Sequence, residues 1–172
     1  WEHCWYGLHR PDNVRWIRAT SGSPTNTIDI DGMQIQTGFL EAESYTLQPE
    51  GIGIEGVRLR WTVKCDAGSD AVDACAVQLQ VRDGSNKLDV SIRFSASTVT
   101  VRDNVAGSAI ATESVDMTEF QEFELAAKVN ASAGDLVLYR RTASLKSDNL
   151  WTVVADVAPT LTSSGQTLHY IR

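Results

Sequence analysis

The chain has no unbroken apolar run near the ~18 residues that a membrane-spanning helix requires. Every hydrophobic segment is interrupted by polar positions, which predicts no membrane insertion. Cysteine and histidine are scarce, three of each, and they never gather as the two close pairs of a zinc site. Gly-x-Ser-x-Gly, phosphate-loop and dinucleotide-binding signatures are missing, which removes common routes to nucleophilic and nucleotide chemistry. Basic charge is in deficit, with 15 Lys and Arg against 22 Asp and Glu and a formal net charge of -7. That balance argues against a nucleic acid or an anionic membrane held by phosphate neutralisation. Helical periodicity is lacking too, the one helical turn the pattern allows being Asp116–Glu119.

What is present is strand. Val57, Leu59, Trp61 and Val63 alternate with Arg58, Arg60 and Thr62; Val77, Leu79 and Val81 alternate with Gln78, Gln80 and Arg82; Leu88, Val90, Ile92 and Phe94 alternate with Asp89, Ser91 and Arg93. A period of two is that of a half-buried strand. If the three stretches pair in order, one face is core and the other is a grid of Arg58, Arg60, Gln78, Gln80, Arg82, Asp89, Ser91 and Arg93. Guanidinium forks bind carboxylate or sulfate, and Gln and Asp satisfy sugar hydroxyls, so this grid is the candidate ligand-binding face for a neutral or anionic glycan. The same alternation also describes the wet side of an ordinary antiparallel sheet.

Further strands are expected at Val14–Thr20, Thr27–Ile30 and Met33–Thr37 (joined by Asp31-Gly32), Glu41–Gln48, Thr98–Arg102, Phe120–Val129, Leu136–Arg140, Trp151–Asp156 and Thr167–Ile171. So many short strands without helices predict an all-β fold, a two-sheet antiparallel jelly-roll β-sandwich. With 172 residues and 42% hydrophobic content, the chain reads as one domain over residues 1–172. Trp16, Trp61 and Trp151 are expected in its core. Residues 1–13 form an aromatic segment, with Trp1, Trp5 and Tyr6 around His3 and Cys4. It either packs on the sandwich or offers a surface for self-association. A start at Trp1 without a charged and apolar leader implies a removed leader or a piece of a longer protein.

Cys65 and Cys75 flank the turn-rich segment Asp66–Ala74, so they would face each other where a hairpin loop closes, as a disulfide or as two buried thiols. A disulfide would place the chain in an oxidising, extracellular setting. Cys4 is left as a buried thiol or a cross-link to another chain. Asp66, Asp70 and Asp73, joined by Asp83 or Asp103, carry the hard oxygens that Ca²⁺ takes, although Asp is also simply common in turns.

The order of these pieces resembles the concanavalin A-like lectin/glucanase superfamily, and within it the laminin-G-like domains of polysaccharide-acting proteins. The segments that carry the resemblance are Asp31-Gly32-Met33-Gln34-Ile35-Gln36-Thr37-Gly38, the ribbon Val77–Asp83 into Leu88–Phe94, and Thr118–Val129 leading to Gly134-Asp135-Leu136-Val137-Leu138-Tyr139. The resemblance implies a jelly roll and glycan recognition. Where those relatives continue Tyr-Val-Asp-Gly in a turn, this chain has Tyr139-Arg140-Arg141-Thr142, so no ligand role of that turn carries over.

Glycosidases need two carboxylates across one sugar bond. The laminarinase-type Glu-x-Asp-x-x-Glu is absent; Glu41 with Glu43, Asp29 with Asp31, and Glu122 with Glu124 have one-face spacing but read as solvated pairs. His3, His9 and His169 lie near the ends, away from the alternating strands that a Tyr/His lyase pair would need. The expectation is therefore a non-catalytic, extracellular carbohydrate-recognition module, accessory to a larger glycan-acting or surface protein. The alternatives are a structural or assembly subunit of a virion, fibre or surface layer, and a polysaccharide hydrolase or lyase.

Overall fold

The computed structural model describes residues 16–22, 25–29, 32–36, 42–47, 56–65, 75–83, 86–129, 134–142, 150–158 and 167–171, with side chains at Thr20, Gly22, 58–65, 77–79, 89–127, 136–142 and 150–158. The chain divides into two compact units, Trp1–Gln48 with Tyr170–Arg172, and Pro49–His169. No helix occurs among the described residues, and none is long and apolar enough to cross a membrane.

In the first unit, β1 (Trp16–Ser21) pairs antiparallel with β4 (Ala42–Leu47) from Trp16–Leu47 to Ser21–Ala42. β2 (Thr25–Asp29) and β3 (Gly32–Gln36) form a hairpin. Asp29 pairs with Gly32, so the reversal falls one residue earlier than the Asp31-Gly32 signal suggests. Ile171, near the end of the last strand, pairs with Leu47.

The second unit is the expected antiparallel sandwich of two sheets. β5 (Gly56–Val63) lies in one sheet, in the order β12–β11–β10–β5, with β10 (Gln121–Val129), β11 (Gly134–Thr142) and β12 (Thr152–Val157). β6 (Cys75–Asp83), β7 (Asn86–Phe94), β8 (Thr98–Asp103) and β9 (Ser108–Ser114) run side by side in chain order in the other. β13 (Thr167–Ile171) is the final strand. The three alternating stretches therefore do not form one meander. β6 and β7 pair as expected, but β5 pairs with β10 in the opposite sheet. The physical reason lies in the length of the connection: residues 64–74 between β5 and β6 exceed the ~2–5 residues of a hairpin loop, so adjacency in the chain does not oblige the two strands to pair.

Each sheet turns one alternating face inward. Val90, Ile92, Phe94, Val99 and Val101 are buried on one side and Phe123, Leu125, Leu136, Leu138 and Ala155 on the other. The sheets meet through three rings. Trp61 stacks on Phe123 at 5.6 Å between centroids, and Phe94 of the facing sheet lies 5.3 Å from Phe123 and 6.4 Å from Trp61. Such aromatic contacts add about 0.5–1.5 kcal/mol each to the area they bury.

One end of the sandwich is closed by Val115–Met117. Val115 N donates to Ser97 O at 3.0 Å, Met117 N to Ala96 O at 2.9 Å, and Met117 O accepts from Cys65 N at 2.7 Å, while the Met117 side chain is fully buried. One short segment is thus bonded both to the β7–β8 turn and to the end of β5. The helical turn expected at Asp116–Glu119 does not form. Asp116 Oδ1 instead accepts the amide and hydroxyl of Thr118 at 3.0 and 2.5 Å, an Asx-type turn. β9 was not expected at all. Its sequence, SAIATES, has no apolar alternation, because it is the last strand of its sheet and shows mostly small polar residues to solvent.

Phe123→Ala is expected to lower the unfolding free energy by about 3–5 kcal/mol, the usual cost of emptying an aromatic core site, measured by urea denaturation. The Thr118 hydroxyl and amide hold the Asp116 carboxyl below its ordinary value. A depressed folded-state value stabilises fully above the unfolded value of about 3.9 and loses that contribution as pH falls through the folded one. Thr118→Val, which removes the hydroxyl donor, should move the Asp116 titration upward in a carboxyl-resolved NMR experiment.

Candidate functional site

β10 alternates Phe123 and Leu125 inward with Glu122 and Glu124 outward, and its neighbours supply matching charge. The register sets Glu124 between Arg60 of β5 and Tyr139 of β11, and Glu122 between Thr62 and Arg141. Opposite charges on adjacent strands attract across a sheet face. Arg60 Nε and Nη2 both reach Glu124 Oε2, at 3.1 and 2.5 Å, and Arg58 Nε lies 3.5 Å from Glu124 Oε1. Arg141 Nε and Nη2 both contact Glu122 Oε2 at 2.6 Å, and Arg60 Nε lies 3.8 Å from Glu122 Oε1. The hydrogen bond to Glu124, helped by attraction to both carboxylates and opposed by burial, raises the Arg60 guanidinium above its ordinary value.

An aromatic residue joins this face because of a bulge. Leu138 pairs with Ala155, but the next residue, Tyr139, pairs with Val153, and Arg140 with Thr152. One residue of β12 is skipped, which inverts the inward and outward positions beyond it. Ala155 faces the core, whereas Val153, 53% exposed, does not. Trp151 follows the same inverted parity. Its ring lies 4.5 Å from the Arg141 guanidinium and 5.4 Å from that of Arg60, within cation–π range. The core position expected for Trp151 is therefore corrected. Tyr139 and Arg140 lie in the strand expected at Leu136–Arg140, and β11 continues through Arg141 and Thr142.

Depth sorts the charges by sign. The side chains of Glu124 and Glu122 are 11% and 18% exposed, while those of Arg141, Arg60 and Arg58 are 34%, 55% and 73% exposed. Carboxylates form the floor and guanidiniums the surface. Leu150, 81% exposed, precedes Trp151.

The eight residues of the expected grid fall on two different sheets. Arg58 and Arg60 belong to the face just described. Gln78, Asp89, Ser91 and Arg93 belong to the other sheet, where Asp89 and Ser91 are buried rather than on a wet face. Asp89 Oδ1 accepts from Gln78 Nε2 at 2.7 Å and Asn104 Nδ2 at 2.8 Å. Ser91 Oγ donates to Asn104 Oδ1 and accepts from Arg93 Nε, both at 3.2 Å. These groups satisfy one another, as a buried polar network must. The side chains of Gln80 and Arg82 lie outside the described residues.

Asp66, Asp70 and Asp73 also lie outside the described residues, as do His3, His9, Cys4 and the side chains of Cys75, Asp83 and His169. Cys65 is buried at the end of β5. Asp103, a candidate partner for Ca²⁺, turns Oδ1 to the amides of Val105 and Ala106 at 2.9 and 3.0 Å, shaping the β8–β9 turn that Gly107 completes with a φ of 72°. Among the described residues no group of three or more His, Cys, Asp or Glu is arranged to hold a metal ion.

Glu122 and Glu124 were legible as a one-face pair, but their guanidinium partners were not. The readable signal was Arg58-x-Arg60 and Glu122-x-Glu124, matching charge patterns on separate strands whose pairing the sequence does not state. Hydrolysis of a sugar bond needs one carboxyl to deliver a proton, whereas both of these are engaged by guanidiniums. No protein-family model, curated protein or solved structure matches the chain.

Asp89→Ala would leave the amides of Gln78 and Asn104 without their acceptor. The expected loss is about 1–3 kcal/mol of stability, read as a lower urea midpoint with an unchanged slope.

Proposed function

We propose that the chain is a non-catalytic, extracellular carbohydrate-recognition module, accessory to a larger glycan-acting or surface protein and built on the concanavalin A-like, laminin-G-like architecture that its strand order resembles. The observation that carries this reading is the inversion at the β12 bulge, by which Trp151 joins Arg58, Arg60 and Arg141 on one sheet face. The indole, with the Arg60 and Arg141 guanidiniums over its ring, holds these groups in place, and the guanidiniums supply directed donors to a sugar's oxygens. Buried carboxylates hold those donors in place before a ligand arrives, which lowers the ordering cost of binding.

The second reading, an assembly subunit, is favoured by Leu150 and Val153, two exposed apolar side chains beside the same tryptophan. Protein contacts use such spots as readily as ligands do.

Binding of the purified chain to a panel of immobilised glycans separates the two. Trp151→Ala, at a half-exposed position, should fold normally and weaken glycan binding about tenfold, the equivalent of one lost stacking contact. Silence across the panel, together with a concentration-dependent rise in mass by light scattering, would favour assembly.

A further inference from the structure

We infer that the ligand of this face is an acidic polysaccharide, bearing carboxylate or sulfate groups along its length; this rests on the carbohydrate reading above. Three features of the face point to that chemistry.

The first is the sign of what a ligand meets. Glu122 and Glu124 are the least exposed of the five charged groups and Arg58 and Arg60 the most. Among these five groups the outer layer is cationic even though the chain as a whole is acidic, and the exposed carboxylate of Asp156 on the same face lies at β12, three strands across from Arg58. At physiological ionic strength the screening length is about 8 Å, so carboxylates elsewhere on the molecule cancel little of this local charge.

The second is the supply of hydrogen-bonding groups. A neutral sugar offers hydroxyls that must both donate and accept, and its sites normally pair guanidinium or amide donors with free carboxylate acceptors. Here one oxygen of each carboxylate is taken: Glu124 Oε2 accepts two N–H groups of Arg60, and Glu122 Oε2 accepts Arg141 Nε with Nη2 beside it, while each Oε1 lies only within ion-pair range of a guanidinium, at 3.5 and 3.8 Å. Each guanidinium has five N–H groups in a fixed fork, so donors remain after these contacts. Three exposed guanidiniums over two sunken, partly occupied carboxylates match a ligand rich in acceptors. Carboxylate and sulfate are such ligands, and they suit the fork in bidentate fashion.

The third is spacing. Arg58 and Arg60 lie two residues apart on one face of β5, about 7 Å at the usual strand rise. Arg141 lies on β11, two strands across and level with Thr62, about 12 Å from Arg60 between Cα atoms at the usual strand separation and rise. The cations thus follow one another in a line, Arg58 and Arg60 joined through Glu124 and Arg60 and Arg141 through Glu122. That arrangement suits repeated charges on a chain better than one small anion, and the Trp151 ring, with the Arg60 and Arg141 guanidiniums over it, fixes two of the cations in place.

The test is equilibrium binding of the intact chain to polygalacturonate, dextran sulfate and uncharged dextran of matched length, at 50 and 200 mM NaCl. The expected result is binding to one or both acidic polymers and none to dextran. Three neutralised charges give a log–log salt slope near -2, so affinity should fall about 15-fold over that range. Arg58→Gln removes the most exposed cation, whose one ion-pair contact is at 3.5 Å, and should weaken acidic-polymer binding several-fold without altering the urea midpoint. Arg58→Glu should weaken it further. Binding to dextran or another neutral glycan equal to that of the acidic polymers would overturn the acidic specificity and leave the carbohydrate reading standing. Acidic-polymer binding that ignores both Arg58 substitutions would overturn the assignment to this face. Failure of every polysaccharide, with capture of single-stranded RNA or an acidic peptide instead, would overturn both.

Discussion

The contact among Trp61, Phe94 and Phe123 is the constraint on which the second unit depends. Two of the rings come from one sheet and the third from the other, so the sheets can bury their inner faces only if all three strands keep the parity that points these rings inward. Parity on a strand is a period of two, and fixing the inside fixes the outside. Once Trp61 and Phe123 face the core, Arg60 and Arg58 on β5 and Glu122 and Glu124 on β10 must face away from it. The charged face follows from how the core is packed.

The parity of single strands was plain in the sequence, and the all-β sandwich could be read from it. Strand partnership was not. Alternation in β5, β6 and β7 is equally strong, and nothing local says that the chain leaves one sheet after Val63 and joins another at Cys75. That assignment depends on the long-range pairing of β5 with β10, residues roughly sixty positions apart in the chain. β9 escaped notice because a terminal strand with one solvated side has no need of apolar residues. A count in twos from the buried Ala155 puts Trp151 in the core, and one skipped residue in β12 inverts that count. A bulge is invisible to periodicity because it is the point where the period fails.

The polar residues divide by what satisfies them. On the β6–β7–β8 sheet, Asp89, Ser91, Gln78 and Asn104 hydrogen-bond one another in a network whose Asp89 and Ser91 are buried. On the opposite sheet the carboxylates are largely covered and each is hydrogen-bonded through one oxygen, and the guanidiniums that hold them extend into solvent with donors to spare. Similar residue types thus serve structure on one side of the sandwich and are open to recognition on the other, and burial decides which.

The ion pair between Arg140 and Glu113, 3.2 Å apart, has a consequence for how the molecule lives among its copies. Glu113 sits opposite Val99 on β9, the terminal strand, so it directs a charge toward the interior at the place where another chain's strand would have to add. A flat, wholly apolar edge would invite such addition and, repeated from copy to copy, a fibril. The carboxylate resists this because a newcomer extending the sheet would have to cover a charge, and the irregular register between Val101 and Arg102 bends the same border. Tolerance of crowding is thereby built into the rim of the sandwich, at no cost to the face that carries Trp151.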